Sequence, residues 1–263
     1  MIDLMNKNSF DCNDLIEIVR ILRAPGGCQW DGEQTHESIR RNFLEEAYEV
    51  AEAIDEGSSE HLKEELGDVL LQVVFHTSIE QDAGRFDLDA VADGVCRKLI
   101  YRHPHVFGDV TVHSTGEILS NWEELKKKEK GQSCQADAVD AVARSLPALW
   151  RAEKVQKKAA KVGFDWDDVS GAMDKLTEET GELAEAMKGN GDPAEELGDL
   201  LFAAVNVARF LEIDPEDALQ AASDKFAARF RRVEEAVLAQ GKRMEDMTLA
   251  QLDDIWNQIK HQA

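Results

Sequence analysis

Apolar residues recur at helical spacing along most of the chain. At about 100° per residue, Phe43, Leu44, Ala47, Tyr48, Ala51 and Ile54 line one stripe, and Leu62, Leu66, Val69, Leu70 and Val73 line another. β-branched alternation is scarce, only five prolines interrupt the chain, and Ala, Leu, Glu and Lys dominate, so the pattern predicts an all-α fold. Gly57 reads as the stop of the first of these helices. The stretch "GQSCQADAVDAVAR", residues 131–144, lacks a sustained amphipathic pattern and follows the charge run "ELKKKEKG". It is expected to be a linker between modules at 10–130 and 145–263.

The two sides of that stretch repeat one another. In the first half "QWD" precedes "LEEAYEV", then "EELGDVLLQVVF", then Lys98 and Arg102, then Trp122 and Lys126. In the second half "GFDW" precedes "TEETGEL", then "EELGDLLFAAVN", then Lys225 and Arg229, then Trp256 and Lys260. Features recurring in one order at nearly matched spacing predict a tandem duplication.

Each copy places two acidic pairs beside apolar stripes. Glu46 and Glu49 stand three apart on one helix, Glu65 and Asp68 three apart on the next; Glu179 and Glu182, then Glu196 and Asp199, repeat the arrangement. Where the two helices pack antiparallel, four carboxylates converge, and charges so placed beside a core need a counter-ion. Oxygen ligands suit a hard divalent cation, so Mg²⁺ is expected, with Mn²⁺ as a substitute. The competing reading, a solvated face on an acidic protein, is weakened because the quartet occurs twice. Gly67 and Gly198 interrupt these second helices at a cost of roughly 1 kcal/mol each relative to alanine, which close helix packing or access for metal or phosphate would explain.

The 263 residues suffice for two modules with cores of their own. A formal charge of −23, from 53 acidic against 30 basic residues, argues against nucleic acid and anionic membrane partners. A small anionic substrate would then be drawn in by a bound cation or a focused set of Lys and Arg. Cys12, Cys28, Cys96 and Cys134 are scattered without metal-ligand spacing and read as free thiols. "MIDLMNKNSFDCND" does not resemble a signal peptide, and "VLLQVVF" is too short to span a bilayer, so a cytoplasmic protein is expected.

The stretches "LEEAYEVAEAI", "EELGDVLLQVVF", "YRHPHVFGD", "KKAAKVGFDW" and "EELGDLLF" resemble the MazG family of nucleoside triphosphate pyrophosphohydrolases in its two-module form, over nearly the whole chain. "GCQWD" departs from that family's usual C-P-W-D by Gln29. The resemblance implies Mg²⁺ dependence, homodimerisation, and hydrolysis of NTP or dNTP to monophosphate and pyrophosphate. It implies metal binding at Glu46, Glu49, Glu65 and Asp68 in one module and Glu179, Glu182, Glu196 and Asp199 in the other, with Glu178 joining the catalytic set. It also implies nucleotide contacts at Lys175, Lys225, Arg229, Trp256 and Lys260, with Lys98, Arg102, Trp122 and Lys126 as first-module counterparts. Trp256 either stacks on a base, a contact indifferent to base identity, or packs between helices. The rival to an enzyme is a non-catalytic acidic helical scaffold or regulator that binds metal or nucleotide without turnover.

Other signals are weaker. "GNGDPA" fits a dinucleotide fingerprint but joins two helices, so Gly189 reads as a helix stop, Asp192 as an N-cap with Pro193 first in the helix, and Glu195 as the end of a capping box. The single Glu33-x-x-His36 falls short of the two such motifs a di-iron bundle needs. His103 and His105, separated by a proline and without a third partner, read as loop packing or a substrate-side role rather than metal ligands.

Overall fold

The computed structural model describes residues 4–129, 131 and 134–261, and these form thirteen α-helices and two 3₁₀ turns with no strand among them. The all-α expectation holds. The chain divides into two units, Met1–Lys126 and Lys127–Ala263.

In the first unit α1 (Cys12–Arg23) is started by Asp11, whose carboxylate accepts the N–H groups of Asn13 and Asp14. A short α2 (Gln29–Gly32) leads to α3 (His36–Asp55), which Thr35 caps and which ends at Gly57 with φ +67°. α4 (Ser59–Asp82) returns antiparallel to it, followed by α5 (Leu88–Arg102), α6 (Pro104–Phe107) and α7 (Thr115–Glu129). Val19, Ile39, Val74 and Phe75 form the core where α1 meets the α3–α4 hairpin. Each such side chain contributes about 1.5–3 kcal/mol on burial. A polar clasp joins the same helices: the rings of His36 and His76 stack at 5.0 Å, with their Nδ1 atoms 2.7 Å apart. His36 Nε2 lies 2.6 Å from Glu80, and Arg85 also grips Glu80, holding its carboxyl down to about 2. His36 is thus spent on holding the hairpin.

The core does not use the stripe that the sequence pattern marked. Leu44, Tyr48, Ile54, Leu66 and Leu70 are exposed, while Ile39, Ala53, Val74 and Phe75 are buried. Periodicity shows that a helix has an apolar face; α1 covers only part of this one, and the rest of the hairpin's apolar surface is open on the single chain.

The second unit begins with α8 (Gln135–Asp140), followed by α9 (Ala148–Ala160), α10 (Val169–Ala186), α11 (Pro193–Phe210), α12 (Pro215–Ala239) and α13 (Leu249–Lys260). α8 lies within the expected linker, of which residues 132 and 133 fall outside the described residues. It packs on α9 and buries Ala138, with Val142 buried just beyond it. Alternating alanines and a valine in so short a helix escape a search for sustained periodicity. α10 and α11 form the second hairpin. Its loop has Gly189 at φ +95°, and Asp192 caps α11 by accepting the Ala194 N–H, with Pro193 as the first helical residue. Val233, Val237 and Ile259 form a separate core between α12 and α13, with Trp256 against it.

The glycines within the hairpins divide into two kinds. A Cβ built on Gly171 would stand 2.9 Å from the Trp166 ring, so this glycine lets the indole lie flat on the start of α10. A Cβ on Gly67, Gly181 or Gly198 meets nothing within 4 Å. Close helix packing within the chain therefore does not account for Gly67 and Gly198.

Candidate metal and nucleotide site

Antiparallel pairing of α3 with α4 brings oxygens of Glu46, Glu49 and Glu65 within 4.8 Å of one another, and pairing of α10 with α11 does the same for Glu179, Glu196 and Asp199. Two residues expected in the quartets stand at the edge of these triads. Asp68 acts on Glu46 through its charge, and Glu182 hydrogen-bonds Glu179.

Crowding leaves an electrostatic signature. Desolvation, then the charges of Asp68 and Glu49, push the Glu46 carboxyl up. Desolvation, then Glu49, raise Glu65, while the hydrogen bond to Glu179, then desolvation, raise Glu182. Like charges held this close lower the stability of the empty cluster and favour protons or a cation.

The second cluster contains a resident cation. Lys175, one turn before Glu179, places Nζ 2.6 Å from Glu179 and 2.9 Å from Glu178, and the pair of contacts raises its pKa, Glu179 first. Glu179 is 4% exposed, yet its Oε2 has no hydrogen-bond partner. A buried carboxylate oxygen left unpartnered is expensive. An oxygen-only donor set with one unsatisfied oxygen fits a hard divalent ion.

The first cluster differs. Asn42 stands four residues before Glu46, where the second module has Lys175 before Glu179. His61 instead reaches the carboxylates, with Nε2 3.2 Å from Glu65 and Nδ1 2.7 Å from Glu56.

The expected nucleotide contacts sit on other helices. Trp122, on α7, has Arg102 above its ring at 5.3 Å and Lys126 at 4.7 Å, with Lys98 one turn before Arg102 on α5. Trp256 packs on Phe226 with centroids 5.2 Å apart, which joins α13 to α12. Lys225 and Arg229 lie on α12 and form no ion pair with a described residue; Lys260 ends α13. α12 packs on α13, on α9 and, less extensively, on α11. His103 and His105 face each other at 5.7 Å beside α6, and His103 Nδ1 bonds the Leu99 carbonyl, a local loop arrangement.

Sequence reasoning missed one group. At the open end of the α10–α11 hairpin a cavity of about 390 Å³ is lined by Gln156 of α9, Phe164 and Trp166 of the intervening loop, and Phe202, Asn206 and Arg209 of α11. "GFDW" registered only as a mark of the repeat, and its partners lie some forty residues further on. All four cysteines are unpaired, and no helix among the described residues is long and apolar enough to cross a membrane.

Two all-helical modules, each a hairpin closing on clustered carboxylates, define a tandem helical protein. The chain belongs to the MazG nucleotide pyrophosphohydrolase family, whose domain it matches at residues 34–107 and 168–233. It is 45% identical, over 94% of both chains, to the nucleoside triphosphate pyrophosphohydrolase/pyrophosphatase MazG of Thermotoga maritima. It is 46% identical to the nucleoside triphosphate pyrophosphohydrolase of Escherichia coli K12, over 94% of this chain and 96% of that one. An uncharacterized Bacillus subtilis protein, YabN, shares 49% identity over 92% of this chain and half of its own length.

Proposed function

We propose that this protein hydrolyses nucleoside triphosphates, ribo and deoxy, to the monophosphate and pyrophosphate, using Mg²⁺ or Mn²⁺. Water adds at phosphorus, the bond between the α- and β-phosphates breaks, and its electron pair leaves with pyrophosphate. The observation that carries this reading is the buried, unpartnered Glu179 oxygen in a carboxylate triad with a lysine beside it. Relatives sharing nearly half of the sequence end to end carry that activity in their names.

Glu179, Glu196 and Asp199, with Glu182 at the edge, would hold the metal in the second module, and Glu46, Glu49, Glu65 and Asp68 in the first. When bound, a divalent ion there neutralises phosphate charge and acidifies a water. Lys175 is tethered to Glu178 and Glu179 until a phosphate competes for its ammonium. The second module is the principal catalyst, because the first has Asn42 in place of that lysine.

The working form is a homodimer. Leu44, Tyr48, Ile54 and Leu66 form open apolar surface on one hairpin, and Leu197, Leu201 and Phe202 on the other, while Phe226 and Phe230 are exposed beside Lys225 and Arg229 on α12. Lys225 and Arg229 of a second copy's α12 would complement the acidic hairpin and reach the phosphates. A cytoplasmic role in nucleotide-pool housekeeping or stress regulation follows, with broad tolerance of the base.

The test is incubation with each NTP and dNTP, with and without Mg²⁺, and identification of products by chromatography. Monophosphate and pyrophosphate, formed only with metal, are expected. Diphosphate and free phosphate reject the reading, and bound but unturned nucleotide favours the scaffold alternative.

A further inference from the structure

The polar clasp of the first unit takes no part in the carboxylate chemistry, and its hydrogens can be counted. Arg85 donates to both Glu80 oxygens, at 2.5 and 2.7 Å, and keeps that carboxylate ionised. An ionised carboxylate only accepts, so His36 Nε2, 2.6 Å from Glu80, carries a proton. In neutral His36 the Nδ1 is then a bare acceptor, and its contact of 2.7 Å with His76 Nδ1 puts the shared proton on His76. An additional proton can be taken on His76 Nε2 with that bond kept. The next must go to His36 Nδ1, where it would set two N–H groups head to head across a gap that admits one hydrogen.

The surroundings offer little relief for that second charge. His36 opens α3 and His76 lies in the last two turns of α4, so the clasp ties the start of one helix to the end of the other. His76 is half-buried with Phe43 against it at 5.9 Å; desolvation, then the His36 charge, hold its imidazole below the usual range. The charged groups around the pair are engaged elsewhere. On α3, Glu37 bonds its own backbone N–H and Thr35. From α1, Arg23 lies over the Phe75 ring at 5.1 Å, pairs with Asp82 of α4 at 3.0 Å and donates to the Asp31 carbonyl of α2. Glu33 of the loop after α2 accepts from Gln29, and Asp87 caps α5 at Ala90. Counted from the matched acidic pairs, the second module has Val169, Val207 and Leu211 where the first has His36, His76 and Glu80. The same hairpin closes there with no titratable group at these positions.

We propose that the clasp is an acid-sensitive latch on the first module: it closes on one shared proton, and it lets the start of α3 part from the end of α4 when both imidazoles are charged. The unfolded chain charges both histidines below about pH 6.5, and the closed clasp holds one proton fewer, so the first unit loses stability as pH falls through that value. The α10–α11 hairpin, closed by aliphatic side chains at the matching positions, keeps its packing over the same range.

Two measurements on the full-length protein test this. Long-range proton–nitrogen correlation spectra at about pH 7.5 are expected to show His36 as the Nε2–H tautomer and His76 as the Nδ1–H tautomer. Hydrogen exchange, corrected for the intrinsic rate, is expected to show protection in the first turns of α3 and the last two turns of α4 falling at least about tenfold between about pH 7.5 and about pH 5, with α10 and α11 changing less than about twofold. His76→Gln, whose amide N–H can still serve His36 Nδ1 but takes up no proton in this range, should keep the neutral-pH protection and lose the acid response. The tautomers and the comparison of modules are read on the wild type, so they judge the latch even where that variant fails to fold. Any other pair of tautomers at neutral pH, an acid loss shared equally by the two modules, or a folded His76→Gln that still opens in acid would overturn the proposal.

Discussion

One substitution made at three places separates packing from function in these hairpins. Glycine to alanine inside a helix adds about 1 kcal/mol of stability through the unfolded chain and helix propensity, provided the new methyl has room. At Gly198 and Gly67 it has room, since beyond the neighbouring backbone of its own helix nothing lies within 4 Å of a built Cβ. Both variants are therefore expected to melt higher, by roughly 3–5 °C for units of this size. At Gly171 the methyl would lie 2.9 Å from the Trp166 ring, which Arg209 and Asp165 help to hold in place. Overpacking costs about 1–3 kcal/mol, so the same gain is reversed and a net loss of up to about 2 kcal/mol is expected. The assay is thermal and urea unfolding of the metal-free protein across a dilution series, with NTP hydrolysis measured in parallel. If Gly198→Ala melts higher and still loses hydrolysis, the open space is reserved for substrate or a second chain. Concentration-independent destabilisation by Gly198→Ala or Gly67→Ala would refute the reasoning, because it would mean that the space is filled from within the chain.

Glu196→Ala is expected to abolish turnover with the fold intact, and calorimetric titration should show Mg²⁺ binding lost from the second module. Glu182→Gln is expected to stabilise the metal-free protein in a pH-dependent way. The raised carboxyl contributes stability below the ordinary glutamate pKa of about 4.3 and loses it as pH rises through the folded value, so the variant's advantage should grow from near zero at acid pH to a maximum at neutral pH. Equal melting differences at both ends would sink that account. Lys175→Met should tighten metal binding in a Mn²⁺ titration, since the ammonium no longer competes for Glu179, while kcat/KM for NTP falls. Sedimentation of the wild type should show a dimer, and Leu44→Glu together with Leu66→Glu should shift it toward monomer.

The carboxylate clusters were legible because i, i+3 spacing beside an apolar stripe fixes the face on which Glu46, Glu49 and Glu65 sit, and the loop lengths leave little choice but an antiparallel hairpin. Lys175 was marked only through the family resemblance, as a nucleotide contact, and its ion pairs with Glu178 and Glu179 emerged from the fold. What covers a face is not local information: Leu44, Tyr48 and Ile54 have the right period for a core, yet α1 meets the hairpin elsewhere. Neither is convergence of distant positions, so the clasp of His36, His76, Glu80 and Arg85, and the meeting of Gln156 with Trp166 and Arg209, emerged only from the folded chain. Of the two roles read for Trp256, stacking on a base or packing between helices, the fold shows a packing contact. Phe226, one residue after Lys225, lies against its half-buried ring at 5.2 Å.

The position of α8 bears on how the two halves would be separated by gene fission. Gln135 accepts from Lys127 at 3.0 Å and donates to the Lys158 carbonyl at 2.5 Å, which clamps this short helix onto α9. A break placed after Arg144 would strip it away and bare the α9 surface that covers Ala138 and Val142. A break at Lys126 keeps the clamp with its own half, so a bisected gene joined there should yield a soluble carboxyl-terminal fragment, and one joined at residue 145 an aggregating one.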